Sequence, residues 1–147
     1  SEEDTCLILE DDVILAENFI EKLNLRLVSA PNDYDAIFIG QGTDYRIPES
    51  DIKEGQYFYL KEHPAAKCAD SYILKKETAD KLVKEILPFS TVSDRELCYL
   101  FDKLNMKIYW MEPPLVDQGS QNGLFESSLQ DFTSKYTRNR IKNIEDR

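Results

Sequence analysis

The feature that most constrains this chain is a short apolar run, Cys6-Leu7-Ile8-Leu9, that stops abruptly on three acids, Glu10-Asp11-Asp12. An unbroken apolar run of this length reads as a strand buried on both faces, as in a parallel sheet. The acids then project from the carboxyl edge of that strand, where open α/β sheets bind their ligands.

The rest of the chain alternates helix and strand signals. Phe19, Ile20, Leu23 and Leu27 keep a helical period, closed by Pro31-Asn32. Residues 35–39 read as a second buried strand stopped by Gly40-Gln41-Gly42, and residues 43–55 as a polar surface loop. Residues 56–60 suggest an edge strand and residues 68–74 another. Ala79, Leu82, Val83, Ile86 and Leu87 fall on one helical face that Pro88 ends. Ser93 and Glu96 have capping-box spacing ahead of Leu97, Leu100, Phe101 and Leu104. Residues 106–111 read as a strand, Pro113-Pro114 imposes an extended turn, and a basic helix is expected over residues 129–144. The pattern predicts a single α/β domain over residues 1–147, with no internal repeat.

Charge narrows the function classes. There are 28 acidic residues against 18 basic ones, which argues against a nucleic-acid groove or an anionic membrane surface. Cys6, Cys68 and Cys98 are odd in number and lack CxxC spacing, which speaks against a zinc site or a disulfide framework. No apolar run approaches a membrane span and no leader pattern is present. These features suggest a reducing, cytoplasmic setting; for a piece of a longer secretory protein, a lumen is the alternative.

Three adjacent acids repel one another, and a cation, backbone donors or water must relieve them. Magnesium and manganese keep several waters and bind through one or two carboxylates plus substrate phosphates, such as the diphosphate of a sugar nucleotide. Glu10 and Asp12 have the separation of a DxD motif, in which one acid ligates the metal and the other orients a ribose or a metal-bound water. A solvated acidic turn is the plain alternative.

Four further segments follow in order: residues 33–40, residues 69–74 with Ala79-Asp80-Lys81-Leu82, residues 94–97, and residues 112–120. With the strand at residues 7–13, they resemble the motifs of glycosyltransferase family 25, which holds lipopolysaccharide sugar transferases and collagen hydroxylysine galactosyltransferases. The resemblance implies a GT-A (Rossmann-like) mixed sheet flanked by helices. It also implies an inverting, metal-dependent transfer of sugar from a UDP-sugar to a hydroxyl acceptor, a glycan or a hydroxylysine-like side chain. In that family a long nucleobase-binding segment precedes the EDD strand, whereas six residues precede it here. The expectation is therefore a domain truncated at its N-terminus, with another domain or chain supplying the nucleobase site. Asp70 stands where the family has a small or aromatic residue, and Ser93-Asp94-Arg95 lacks its proline.

The resemblance also implies roles. Asp94 is the candidate base for the acceptor hydroxyl, with Glu96 as runner-up; an acid in a first helical turn is also ordinary dipole pairing. Asp12, Glu10 and Gln118 are the candidate ligands for Mn²⁺ or Mg²⁺. Glu10, Asp11, Gly40, Gln41, Gly119 and Ser120 are expected to meet the donor. The run 119–123 is positioned to wrap a phosphate with backbone N–H groups, or is simply a turn. Gly40 and Gly42 permit close backbone approach, and Gln41 is expected against a sugar. His63 reads as a solvent-facing loop residue, and Tyr57, Phe58, Tyr59, Tyr109 and Trp110 as packing rather than a sugar platform. Two other functions compete: a non-catalytic binding or assembly module on the same fold, and a metal-dependent phosphoryl-transfer or hydrolytic enzyme.

Overall fold

The run Ala36–Phe38 offers no polar face, so both its faces must be covered. Ala36 and Phe38 enter one core and Ile37 the other, and none of the three is more than 1% exposed. The computed structural model describes residues 4–41, 46–61 and 68–125. The order in space is β1 (Thr5–Leu9), β5 (Ser71–Lys75), β3 (Ala36–Phe38), β6 (Ile108–Met111) and β4 (Phe58–Lys61). β3 and β6 run parallel, and the other neighbouring pairs are antiparallel. A two-stranded antiparallel ribbon, β2 (Val13–Leu15) with β7 (Val116–Gln118), joins the sheet through a parallel bridge between Gly40 and Val116.

Helices cover both faces. Phe19 and Leu23 of α1 (Phe19–Leu27) pack with Ile37, Ile39, Ile73 and Val116. On the other face, Leu82 of α2 (Lys76–Glu85) and Leu97, Leu100 and Phe101 of α3 (Ser93–Lys103) pack on Phe38, Leu74 and Trp110. Phe38 and Phe101 meet edge to face at 6.2 Å. Burying side chains of this size stabilises the fold by about 1.5–3 kcal/mol each, which sets the sheet and its helices as one unit.

At the start of β3 a polar latch fixes the parallel pair. Lys107 N donates to Asp35 Oδ2 (2.7 Å) and Thr78 Oγ1 to Asp35 Oδ1 (3.3 Å). Lys107 Nζ and Tyr109 Oη both donate to Asp33. The opposite end of β3, with Gly40 and Gln41, therefore lies beside the end of β1 and the start of β5.

Several expectations change. β1 is an edge strand among the described residues, not one buried on both faces: Leu7 and Leu9 are 37% and 38% exposed, and Ile8 alone of the run packs on a core. A short apolar run does not distinguish a central strand from an edge strand that is covered on one side. On the inward side of α2 Thr78 and Leu82 are buried and Ala79 and Ile86 pack on the core as expected, while Val83 is exposed and Leu87 lies beyond the helix. Ile20 of α1 is exposed, and the buried stripe is completed by Arg26 instead.

The capping box is not formed. Val92 occupies the cap position, and Ser93 is already helical. Residue 47 of the expected surface loop is buried in the core. The predicted helix at 129–144, His63 and Gly42 lie outside the described residues.

Candidate functional site at the carboxyl edge of the sheet

β1 ends at Leu9, and Glu10, Asp11 and Asp12 form the turn into β2. Backbone bonds hold this turn from two sides: Glu10 N donates to Asp70 O (2.9 Å) and Gly119 N to Asp12 O (2.7 Å). The register of β2 on β7 sets Val13 opposite Gln118, so that Gln118 Nε2 reaches Glu10 Oε2 at 3.0 Å. The turn thus meets residues more than a hundred positions further along the chain.

The electrostatics of the site centre on Glu10. Partial burial pushes its carboxyl above the ordinary value, and the charges of Asp12, Asp94 and Asp11 push it further. Asp94, in the first turn of α3, contributes to that electrostatic push. Gln118 supplies the second signal. Its Oε1 is buried and has no hydrogen-bond partner, although Nε2 is bound to Glu10. A buried amide oxygen without a donor is uncommon, because its desolvation goes uncompensated.

The donor set suits one kind of cation. Among the described residues no group of three or more His, Cys, Asp and Glu side chains is arranged to hold a metal by itself. An all-protein cage is therefore not what these residues build. A crowded carboxylate beside a partnerless amide oxygen fits a hard cation that takes its remaining ligands from water and a diphosphate. On that ground Glu10, Asp12 and Gln118 fit Mn²⁺ or Mg²⁺.

Other predicted residues find different employment. Gly40 does make a close approach, but to protein: a Cβ there would fall 2.2–2.4 Å from the Asp70 carboxylate oxygens and Ser71 Oγ. Asp70 is fully buried and accepts from Ser71 N (2.7 Å). Gln41 is 2% exposed, an interior side chain rather than one presented to a sugar. Glu96 accepts from Ser90 Oγ, Ser90 N and Thr91 N, which hold its carboxyl below the ordinary range. It ties down the chain ahead of α3 instead of facing the acids. Gly119 N is spent on Asp12 O and Gly123 N on Gly119 O, so the expected phosphate wrap by residues 119–123 loses part of its donors. Asp94 and Ser120 remain only partly buried, at the start of α3 and at the turn after β7.

Comparison with family models, with curated proteins and with solved structures finds no match for this chain.

Three neighbours escaped the sequence reading. Cys68 lies beside the acids with Gln121 Nε2 on its Sγ (3.7 Å). Burial, then Asp70 and Asp94, push its thiol up to about 11, so it is protonated and unreactive at neutral pH. Asp117 and Asn122 are 1% and 3% exposed and hydrogen-bonded to each other. A lone acid between the apolar Val116 and the strand end was the signal available for Asp117.

Proposed function

We propose that this chain carries the cation- and diphosphate-binding edge of a GT-A-like, metal-dependent inverting glycosyltransferase using a UDP-sugar donor and a hydroxyl acceptor. The observation that carries the reading is the convergence on Glu10. Partial burial and then three neighbouring acids raise its proton affinity, and Gln118 binds it while leaving a buried oxygen without a donor. The mixed sheet with helices on both faces, and acids at its carboxyl edge, support the same reading.

Glu10, Asp12 and Gln118 would hold the ion. When bound, Mn²⁺ or Mg²⁺ supplies charge to stabilise a departing diphosphate. The residues do the rest. Asp94, at the start of α3 and electrostatically coupled to Glu10, takes the proton from the acceptor hydroxyl as that oxygen attacks the anomeric carbon. Attack opposite the leaving diphosphate inverts the configuration. Gln118 keeps Glu10 oriented, and Gly119 fixes the turn through Asp12 O.

UDP-sugar turnover measured with and without EDTA tests the reading. Loss of turnover in Asp12→Ala with the fold intact supports it, and this variant keeps the backbone bond from Gly119. Unchanged turnover refutes the metal role.

A second reading, a non-catalytic assembly module, has its own observation. The exposed side of β1 opens on an apolar groove of about 620 Å³ lined by Leu7, Leu9, Leu15, Phe19 and Ile20. Calorimetry that finds no metal-dependent UDP binding favours that module.

A further inference from the structure

Asp117 is a carboxylate inside the protein, and its surroundings account for every oxygen. Oδ1 accepts from Gln118 N (2.8 Å) and Oδ2 from Asn122 Nδ2 (3.2 Å). Asn122 Oδ1 in turn accepts from Leu124 N (3.1 Å). Burying a charge is costly unless hydrogen bonds compensate it, so this pair is not an incidental contact. Its partners are informative. With Gly119 N on Asp12 O, the amides of residues 118, 119 and 124 are all taken, and the corner from β7 into α4 (Gly119–Asn122) has no loose backbone donor at those positions.

Gln118 is the residue whose side chain leaves this corner for the acids. Three rotatable bonds separate its carboxamide from the backbone, and Nε2 is anchored on Glu10 at the far end. Where Nε2 and the partnerless Oε1 come to rest depends on how firmly the backbone is held. We propose that Asp117 and Asn122 are a buried positioning pair that sets the Gln118 carboxamide against Glu10 and so presents Gln118 Oε1 to the site's ligand. The ligand in that statement rests on the cation-binding reading above, whereas the placement of Gln118 does not.

The chemistry of the pair dictates the test. Asp117→Asn sets two NH₂ groups face to face, and an Asn122 flip to relieve them turns its NH₂ onto Leu124 N. Asn122→Asp sets two carboxylates together. The reciprocal double variant, Asp117→Asn with Asn122→Asp, restores the bond between the two side chains with donor and acceptor exchanged, while residue 117 still accepts from Gln118 N and residue 122 still accepts from Leu124 N.

The readout is the Gln118 Nε2–H₂ signal in ¹⁵N-labelled full chain, first alone and then with added Mn²⁺ and UDP. We expect each single variant to shift that signal and exchange it with water about fivefold to tenfold faster, the factor one net hydrogen bond is worth. The double variant is expected to return both to wild type. Folded single variants with an unchanged Gln118 signal overturn the proposal. If the single variants do not fold, a folded double variant with the wild-type signal supports it, and a double variant with an altered signal or no fold overturns it. Mn²⁺ separates the two layers. If the swap behaves as expected but Mn²⁺ with UDP broadens neither Glu10 nor Gln118 in the wild type, the pair stands and the cation reading fails. If Mn²⁺ broadens both while the variants leave Gln118 unmoved, the pair fails alone.

Discussion

Gln118 Nε2 donates to Glu10 Oε2 at 3.0 Å, tying the last residue of β7 to the first acid after β1. The bond orients a carboxylate that three like charges disfavour, and it leaves the other end of the same amide buried without a partner. The contact therefore joins a disfavoured charge to an uncompensated buried acceptor.

That tension predicts a stability gain on neutralising Glu10. A carboxyl whose folded value is raised contributes stability below the ordinary carboxylate range and loses it as pH rises through the raised value. At neutral pH the ionised form is a net burden. Glu10→Gln keeps an acceptor for Gln118 and is expected to stabilise by about 0.5 kcal/mol after allowance for solvent screening. Denaturant unfolding at pH 7 checks this, and the gain should vanish near pH 4.

Gly40 serves Asp70. Gly40→Ala drives a methyl into the Asp70 carboxylate and Ser71 Oγ, and is expected to cost about 3 kcal/mol, the upper end for overpacking. Adding Asp70→Ala to that variant should recover part of the loss. Thermal unfolding of the pair measures it.

Arg26 is expected to be the costliest polar residue to truncate. Its guanidinium is buried in α1, donates to Pro113 O and lies 5.0 Å from the centre of the Tyr57 ring. Burial lowers its proton affinity, and Tyr57 and the buried Glu112 restore part of it. Arg26→Ala removes the countercharge and should cost about 3 kcal/mol, read from chemical denaturation. It should also loosen the chain leading into β7, which carries Gln118.

Acid should weaken the latch at the other end of β3. Hydrogen bonds from Lys107 and Tyr109 hold the Asp33 carboxyl below its ordinary value. The stability this gives is present above the ordinary carboxylate value, about pH 4, and is lost as pH falls through the lowered one. Asp33→Asn should be less stable than wild type at pH 6 and above and converge on it as pH falls through the lowered value, so that its stability profile is flatter, as followed by tryptophan fluorescence.

Parts of this arrangement were legible in the sequence and parts were not. The β3 run and the Leu97, Leu100 and Phe101 stripe were readable because each has one solution, coverage on two faces or on one. The edge placement of β1 was not, since a four-residue apolar run reads the same in the middle of a sheet. The acids at its end were visible as a cluster, but their coupling to Asp94 and Gln118 depends on pairing between distant segments. Asp117 offered only a lone acid after the apolar Val116 and Asn122 only a place in a turn, because what distinguishes them is burial. Glu96 and Gly40 had the right residue types for a site, yet their neighbours give them structural work.

The central claim is that Glu10, Asp12 and Gln118 form a cation site completed by a diphosphate, and calorimetric titration of UDP in the presence and absence of Mn²⁺ tests it most directly. The account predicts UDP binding that requires Mn²⁺ and falls at least about tenfold in Asp12→Ala and in Gln118→Ala, with both variants folded. UDP binding that is absent, or equal with EDTA and with Mn²⁺, would contradict it.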